Sequence, residues 1–226
     1  MTEHGPIIEV TIAAPVEVVW PSLRDPALIR RWHGWHCAEL DDEISMIFGT
    51  DQADDDTHTL TANGGDVFEV QAVDGGVRVR VTRAPYDPDV PWSAYYDDVT
   101  EGWTSFLQQL KFMHEQHPGE DRRTIFLMGR GAPGAVGRLF AALPTSVGAD
   151  WYTAERQRGV LLPELGPGLL LAVAKDPARD DAGAEISDAS AIVTCYGLDD
   201  AQFAAEQQRW TTWWRQAYPE APPAQV

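Results

Sequence analysis

A run of aromatic and imidazole side chains near residue 32 is the part of the sequence best equipped to bind a ligand. Trp32, His33, Trp35 and His36 stand within five residues, and Cys37 follows directly. Aromatic rings supply large apolar contact areas, and imidazole can exchange a proton near neutral pH. The two histidines and the cysteine also have the side-chain types of a zinc site. Structural zinc usually takes four ligands and no second pair lies nearby in sequence, so we predict no metal and interpret the run as an aromatic lid over a pocket.

A second polar group, Tyr95–Asp98, comes directly before the longest helical pattern of the chain. Two phenols beside two carboxylates can orient the polar end of a ligand. Asp97 and Asp98 also suit a helix N-terminus electrostatically, because negative side chains are favourable there. The sequence leaves both interpretations open.

Three further groups have a structural explanation that is simpler than a chemical one. The loop Asp51–Asp56 holds four aspartates but lacks the glycine and final glutamate of an EF-hand loop, so we predict a solvated loop. His114 and His117 lie at the end of the long helical pattern, where positive charge is favourable. No G-x-S-x-G motif or glycine-rich phosphate loop occurs, and neither cysteine stands in a recognisable nucleophile context. The sequence therefore leaves any catalytic residue unassigned.

A long amphipathic helix, predicted over Asp98–His117, is the element that must position these residues. Its apolar side chains recur at the spacing of one helical face, and they are Trp103, Phe106, Leu107, Leu110 and Met113. The opposite face is predicted to meet solvent and carries Thr104, Ser105, Gln108, Gln109, Lys111 and Glu115. Because the apolar face is wide and aromatic, we expect a sheet to pack on it.

The residues before this helix predict several antiparallel strands. A helix over Val16 to Arg31 is expected to be broken into short pieces by Pro21 and Pro26. The predicted strands are Ile7–Ile12, Glu39–Phe48, Thr57–Thr61, Val67–Val73 and Val77–Thr82, the last two joined as a hairpin at Asp74-Gly75-Gly76. A proline-punctuated loop, Pro85–Pro91, leads into the long helix. This is an α+β layout, a curved antiparallel sheet around a long C-terminal helix.

Residues 119–226 repeat this order in shortened form. The predicted strands are Arg123–Met128, Gly159–Leu165, Leu169–Ala174 and Ala191–Tyr196, and the predicted helices are Val136–Leu143 and Gln202–Tyr218. Asp176–Asp188 is predicted as a polar loop. The motif W-T-T-W-W at 210–214 matches W-T-S-F-L at 103–107 in pattern, although any amphipathic aromatic helix aligns partly in this way. We predict an internal duplication, with domains at 1–118 and 119–226.

Composition excludes several classes of partner. The net charge is −18 and nine residues are tryptophan. Non-specific nucleic-acid binding and anionic-membrane binding both need basic surface, so neither is predicted. No apolar run has the roughly 18 residues of a membrane span, no signal-peptide pattern opens the chain, and two cysteines cannot form a disulfide framework. We therefore predict a soluble, reduced, cytoplasmic protein.

The first half resembles the SRPBCC (START-like, helix-grip) superfamily, in the branch of the activators of the heat-shock chaperone ATPase. The resemblance is carried by V-T-I-A-A-P-V-E-V-V-W-P-S-L-R-D-P at 10–26, R-R-W-H-G-W at 30–35 and T-E-G-W-T-S-F-L-Q-Q-L at 100–110. It covers 1–118 well and 119–226 weakly. It implies a seven-stranded antiparallel sheet wrapped on the long helix around an apolar cavity. Such folds carry lipids, polyketides or hormones, and some are cyclases or hydrolases. The few basic residues here disfavour a phospholipid headgroup.

These observations favour a binding protein that holds a small apolar or aromatic ligand, with no cofactor, between sheet and helix. The predicted ligand-binding residues are Trp20, Trp32, Trp35, Phe48, Phe68, Tyr95, Trp103, Phe106, Leu107 and Leu110. Two alternatives remain open. One is an aromatase/cyclase- or hydrolase-like enzyme in which Tyr95, His33 or Asp98 acts as acid or base. The other is an interaction module whose acidic face docks a protein partner such as a chaperone.

Overall fold

The computed structural model describes residues 5–50, 52–89, 93–180 and 182–226. The predictions that involve Asp51 and Pro91 therefore lie partly outside the described residues. The chain divides into two units. The first contains the residues up to Gly34 together with Ala38–Glu120, and the second contains Trp35–Cys37 together with Asp121–Val226.

The first unit contains a curved antiparallel sheet of five strands. In chain order they are β1 (Ile7–Ile12), β2 (Ala53–Asp54), β3 (Thr59–Thr61), β4 (Val67–Val73) and β5 (Gly76–Thr82). Their order across the sheet is β1-β5-β4-β3-β2, so the N-terminal strand pairs with the last strand of the meander. The seven strands implied by the resemblance are not reached within the described residues. Strand β2 lies inside the predicted aspartate loop, which is therefore only partly a loop.

The β4–β5 hairpin follows the sequence pattern closely. A two-residue turn, Asp74–Gly75, joins the strands, and Gly75 has φ +80°, a left-handed conformation that glycine adopts at little cost. Along β5 the side chains alternate between buried and partly exposed positions. The three that are fully buried are Val77, Val79 and Val81.

The segment after β1 forms short helical pieces, as the two prolines predict. They are α1 (Val16–Val19), one 3-10 turn (Trp20–Leu23) and α2 (Pro26–Ile29). Asp25 caps α2 by accepting a hydrogen bond from the amide of Ala27 at 2.9 Å.

The strand predicted over Glu39–Phe48 is wrong, because this segment is a helix, α3 (Leu40–Phe48). Its buried residues, Leu40, Ile44 and Phe48, recur every four positions, which is helical rather than strand periodicity. Three acidic residues in the first turn also favour a helix, since negative charge stabilises its N-terminus.

The long helix is α4 (Tyr96–Gln116), and it begins two residues before the predicted start. Asp97 and Asp98 lie in its first turn, as the electrostatic interpretation expected. The predicted solvent face is partly wrong, because Ser105, Gln108 and Gln109 are buried. For Gln109 the reason is clear, since its Nε2 donates hydrogen bonds to the backbone oxygens of Trp32 and Gly34, both at 3.0 Å.

A buried ion pair links the sheet to α4. Arg83 Nε lies 3.0 Å from the Asp66 carboxylate, and both side chains are almost inaccessible to solvent. The carboxylate also accepts hydrogen bonds from the amide of Ala84 and from Trp103 Nε1, each at 2.8 Å. Arg83 in turn donates to the backbone oxygen of Tyr96 at 3.0 Å and to Thr100 Oγ1. These contacts join the end of β5, the turn before β4 and the first turns of α4.

The second unit has its own six-stranded sheet and closing helix. Its elements are β6 (Arg122–Gly131), α5 (Ala135–Phe140), β7 (Asp150–Thr153), β8 (Gln157–Leu162), β9 (Gly168–Ala174), β10 (Ala178–Arg179), β11 (Glu185–Tyr196) and α6 (Asp200–Arg215). Strand β11 pairs with β6, β9 and β10, and β8 and β7 follow β9 outward. A capping box at Asp199 and Gln202 starts α6.

Two predictions for this unit need correction, and strand β7 was not predicted. The predicted polar loop Asp176–Asp188 contains β10 and the start of β11. The predicted strand Gly159–Leu165 ends at Leu162, because Pro163 begins a 3-10 turn.

The His114 side chain is not the positively charged group that the sequence predicted near the end of α4. Its ring is half-buried, Nε2 lies 3.1 Å from Ser22 Oγ, and burial lowers its pKa below the ordinary value of 6.5. His117 caps the helix, with Nδ1 3.2 Å from Glu120 Oε1. The interpretation of His114 as a positive charge is therefore wrong for neutral solution.

We predict that Asp66→Ala destabilises the protein by about 3–5 kcal/mol, because Arg83 remains buried without its counter-charge. Urea denaturation measures the change. The control Asp42→Ala removes an exposed carboxylate and is expected to stay within about 0.5 kcal/mol of the parent. Asp66→Leu combined with Arg83→Met should recover part of the loss. Equal effects of Asp66→Ala and Asp42→Ala would contradict the role of the pair.

Stability should also depend on pH through His114. Because its folded-state pKa is depressed, the unfolded chain binds more protons, and stability is lost as pH falls below the ordinary value of 6.5. The urea midpoint of the parent should drop between about pH 7.5 and about pH 5.5. The drop should be smaller in His114→Gln, and an unchanged drop would assign the pH dependence to other groups.

Candidate functional site

The aromatic cluster of the first unit surrounds His33. The imidazole is 1 % exposed, and its centroid lies 4.9 Å from that of Phe106, 5.3 Å from Phe48 and 5.5 Å from Trp103. Trp32 contacts it edge-on at 5.7 Å. We call Trp32, His33, Phe48, Phe68, Trp103 and Phe106 the aromatic cluster.

The cluster is held by polar contacts at its edges. Trp103 donates its indole N–H to Asp66, as described above, and Trp32 donates its own to the backbone oxygen of Ser22 at 2.8 Å. Phe68 lies 5.0 Å from Trp103 and 5.7 Å from Phe48. Because buried indoles need hydrogen-bond partners, these contacts fix the orientation of both tryptophans.

One carboxylate reaches into the cluster. His33 Nε2 lies 3.0 Å from Oε1 of Glu43, a residue of α3 that is partly exposed to solvent. A carboxylate beside an imidazole orients the ring and stabilises its protonated form, which is the pairing that general acid–base chemistry uses. Glu43 was not predicted as a site residue because it lay in a segment assigned as a strand.

A groove between α2 and α3 adjoins the cluster. Its volume is about 430 Å³, within the range of roughly 300–1,000 Å³ typical of small-molecule sites. We call it the α2–α3 groove. Its lining residues with apolar side chains include Ile29, Ile44 and Phe48, and its charged residues are Arg24, Arg30 and Asp41. Phe48 belongs to both the groove and the aromatic cluster, so the floor of the groove is also the edge of the cluster.

The other predicted site residues are distributed more widely. Leu107 and Leu110 are fully buried on α4, and Trp20 is buried with its indole N–H donating to Asp55 Oδ1 at 2.8 Å. Tyr95 is 61 % exposed in the 3-10 turn before α4. Tyr95 therefore lies at the surface, and its ligand-orienting role stays a prediction.

Trp35 does not join the aromatic cluster, because it belongs to the second unit. Its ring stacks on Phe126 with centroids 3.7 Å apart and planes 9° apart. Its Nε1 donates to Gln225 Oε1 at 2.6 Å, and the amide of His36 donates to Thr124 Oγ1 at 2.6 Å. The R-R-W-H-G-W motif thus divides after Gly34, a separation that sequence spacing alone does not reveal.

Tryptophans on α6 form a corresponding core in the second unit. Trp213 and Trp214 donate to the backbone oxygens of Leu139 and Met128, at 3.3 and 3.0 Å. Trp210 is fully buried, yet its indole nitrogen has no hydrogen-bond partner among the described residues. One turn earlier, Glu206 Oε2 is also buried without a partner there, while its other oxygen lies 3.4 Å from Arg209.

Cys195 is not a nucleophile. Neither cysteine forms a disulfide, and burial together with the charge of Glu206 raises the pKa of Cys195 to about 12. The thiolate is the reactive form, so Cys195 is inert at neutral pH. No group of three or more His, Cys, Asp or Glu residues that could hold a metal ion occurs in the described part of the chain.

Comparisons with known proteins give distant structural similarities. DynU16, a protein in the dynemicin biosynthetic locus, is 13 % identical, and the match covers 92 % of this chain and 94 % of that chain with a TM-score of 0.33. The di-domain ARO/CYC StfQ from the steffimycin biosynthetic pathway is 8 % identical and is matched over 95 % of this chain and 98 % of that chain with a TM-score of 0.36. At such TM-scores the similarities carry no argument about this chain. No protein-family model and no curated protein matches it.

No helix within the described ranges is both long enough and apolar enough to cross a membrane.

We predict that Glu206→Leu raises the stability of the protein by about 1–2 kcal/mol, because it removes a buried carboxylate oxygen that has no hydrogen-bond partner in the described part of the chain. Thermal denaturation measures the change. Gln208→Leu is the matched control, since it places the same side chain at an exposed position of α6. A lower melting temperature for Glu206→Leu than for Gln208→Leu would contradict this account of Glu206.

Proposed function

We propose that the first unit binds a small hydrophobic or aromatic molecule in the α2–α3 groove, with the aromatic cluster forming the apolar wall behind it. The observation that carries the proposal is the double position of Phe48, which lines the groove and contacts Phe68 and Trp103 inside the cluster. A ligand in the groove would remove water from its apolar lining, which includes Pro26, Ala27 and the accessible edge of Phe48.

We also propose that the first unit is a START-like helix-grip domain of the chaperone-ATPase-activator branch, and that the second unit is a degenerate copy of it. Strand order supports this proposal. In the first unit the order is β1-β5-β4-β3-β2, and the corresponding path in the second is β6-β11-β9-β8-β7. In both, the first strand pairs with the last long strand and the earlier strands follow outward in reverse. A long helix, α4 or α6, follows in each case.

The His33–Glu43 pair supports a second candidate function, an aromatase/cyclase- or hydrolase-like enzyme that uses the same site. An imidazole enclosed by aromatic rings and held by a carboxylate can accept a proton from a ligand that reaches it. Of the residues considered for this role, only His33 lies in the aromatic cluster, whereas Tyr95 is exposed and Asp98 lies in the first turn of α4.

Binding is tested with N-phenyl-1-naphthylamine, a neutral apolar dye whose emission rises when it leaves water. We expect saturable binding to the parent protein. Ser45→Trp places a large side chain in the groove and is expected to weaken binding at least about tenfold, since loss of about 1.4 kcal/mol has that effect.

Met46→Trp is the matched control for this experiment. Met46 is the next residue of α3, is 64 % exposed and does not line the groove, so the same addition there should leave binding unchanged. Absence of saturable binding to the parent, or equal binding by the two variants, would overturn the proposed function.

The variant His33→Gln distinguishes the enzyme alternative from simple binding. If the protein is an enzyme of this kind, the variant should lose turnover of its substrate and keep a dye affinity within about twofold of the parent's.

A further inference from the structure

The charges that line the α2–α3 groove indicate the class of its ligand. The groove holds two guanidinium groups, Arg24 and Arg30, and one carboxylate, Asp41, a net charge of +1. The whole chain carries a net charge of −18, with 35 acidic and 17 basic side chains. At contact distance this lining favours an anionic ligand over a cationic one, and it does so against the long-range repulsion that the acidic chain exerts on anions.

The two arginines of the groove differ in their partners. Arg30 forms an ion pair with Asp41 across the groove, so its charge is already balanced. Arg24 lies 5.8 Å from the centre of the Trp20 ring, and no carboxylate among the described residues pairs with it. Most arginines of this chain do pair with a carboxylate, as Arg83 pairs with Asp66 and Arg130 with Asp188. Arg24 is therefore a solvent-exposed guanidinium at the edge of the groove that no carboxylate of the described residues neutralises.

We propose that the ligand of the α2–α3 groove is an aromatic or aliphatic carboxylic acid, bound as its anion, with the carboxylate on Arg24 and the apolar body on Pro26, Ala27 and Phe48. This proposal rests on the proposed function and names the ligand class of the same site. Guanidinium and carboxylate match in geometry and form paired hydrogen bonds, which neutral ligands cannot reproduce. The groove is wide enough for a fused aromatic ring together with its acid group, given its volume of about 430 Å³.

The test compares two probes of the same shape, 1-naphthoic acid, which is ionised at neutral pH, and 1-naphthamide, which is not. We expect the acid to bind the parent protein roughly twofold to fivefold more tightly, the range for an ion pair with a solvent-exposed guanidinium. Both affinities are obtained by displacement of N-phenyl-1-naphthylamine. In Arg24→Gln the preference should vanish through loss of acid affinity while the amide affinity stays within about twofold.

Two further variants make the assignment specific. Arg24→Lys keeps the charge and loses the planar fork, so the acid preference should be intermediate. Arg31→Gln removes the same charge from a nearby residue that does not line the groove, and it should keep the full preference. Raising the salt concentration should weaken the acid and leave the amide unchanged.

The outcomes separate this proposal from the proposed function. Equal affinity of acid and amide for the parent, with saturable dye binding, overturns the anionic ligand and leaves the proposed function intact. Dye binding that neither naphthalene compound displaces also overturns it. A preference that survives in Arg24→Gln but is lost in Arg31→Gln assigns the carboxylate elsewhere and overturns the role of Arg24. Failure of the dye and both compounds to bind overturns the two proposals together.

Discussion

The buried pair of Asp66 and Arg83 is the interaction on which the first unit depends most. One carboxylate accepts from a guanidinium, a backbone amide and the indole of Trp103, so three segments distant in sequence meet at a single group. Removing two charges from water costs several kcal/mol per ion, and these hydrogen bonds offset part of that cost. The hydrogen bond to Asp66 also fixes the orientation of Trp103 in the aromatic cluster.

A second constraint places His33. The imidazole lies in the loop between α2 and α3, and the backbone of that loop is bonded to α4 through Gln109, which donates to Trp32 and Gly34 on either side of the histidine. The polar side chain of Gln109 on α4 therefore supports the loop that carries His33 and does not face solvent. Glu43 reaches His33 from α3. The His33–Glu43 pair therefore depends on the packing of α2, α3 and α4. Rigid elements of this kind hold a site more precisely than a free loop does.

Local patterns predicted much of the fold, and long-range polar contacts explain what they missed. The hairpin of Val67–Thr82 and the long helix were predictable because alternation and helical spacing depend only on neighbouring residues. The burial of Gln109 and the ion pair of Asp66 with Arg83 were not, since each joins residues far apart in sequence. For the candidate site, Trp103 and Phe106 were predictable because they lie on the amphipathic face of the long helix. The groove was missed because Ile44 and Phe48 were interpreted as part of a strand, although Leu40, Ile44 and Phe48 recur every four residues, which is helical spacing.

The similar aromatic helices of the two units have different polar contacts, and this difference bears on ligand binding. In the first unit Trp103 has a carboxylate partner and stands beside a histidine–glutamate pair. In the second, Trp210 of the matching W-T-T-W-W motif has no partner among the described residues, and Glu206 is buried with an unsatisfied oxygen. Unsatisfied buried groups reduce stability, and Trp103 avoids this cost because its indole N–H donates to Asp66. Under the proposed function, a ligand in the α2–α3 groove would therefore meet a cluster in which Trp103 is held in place by that hydrogen bond.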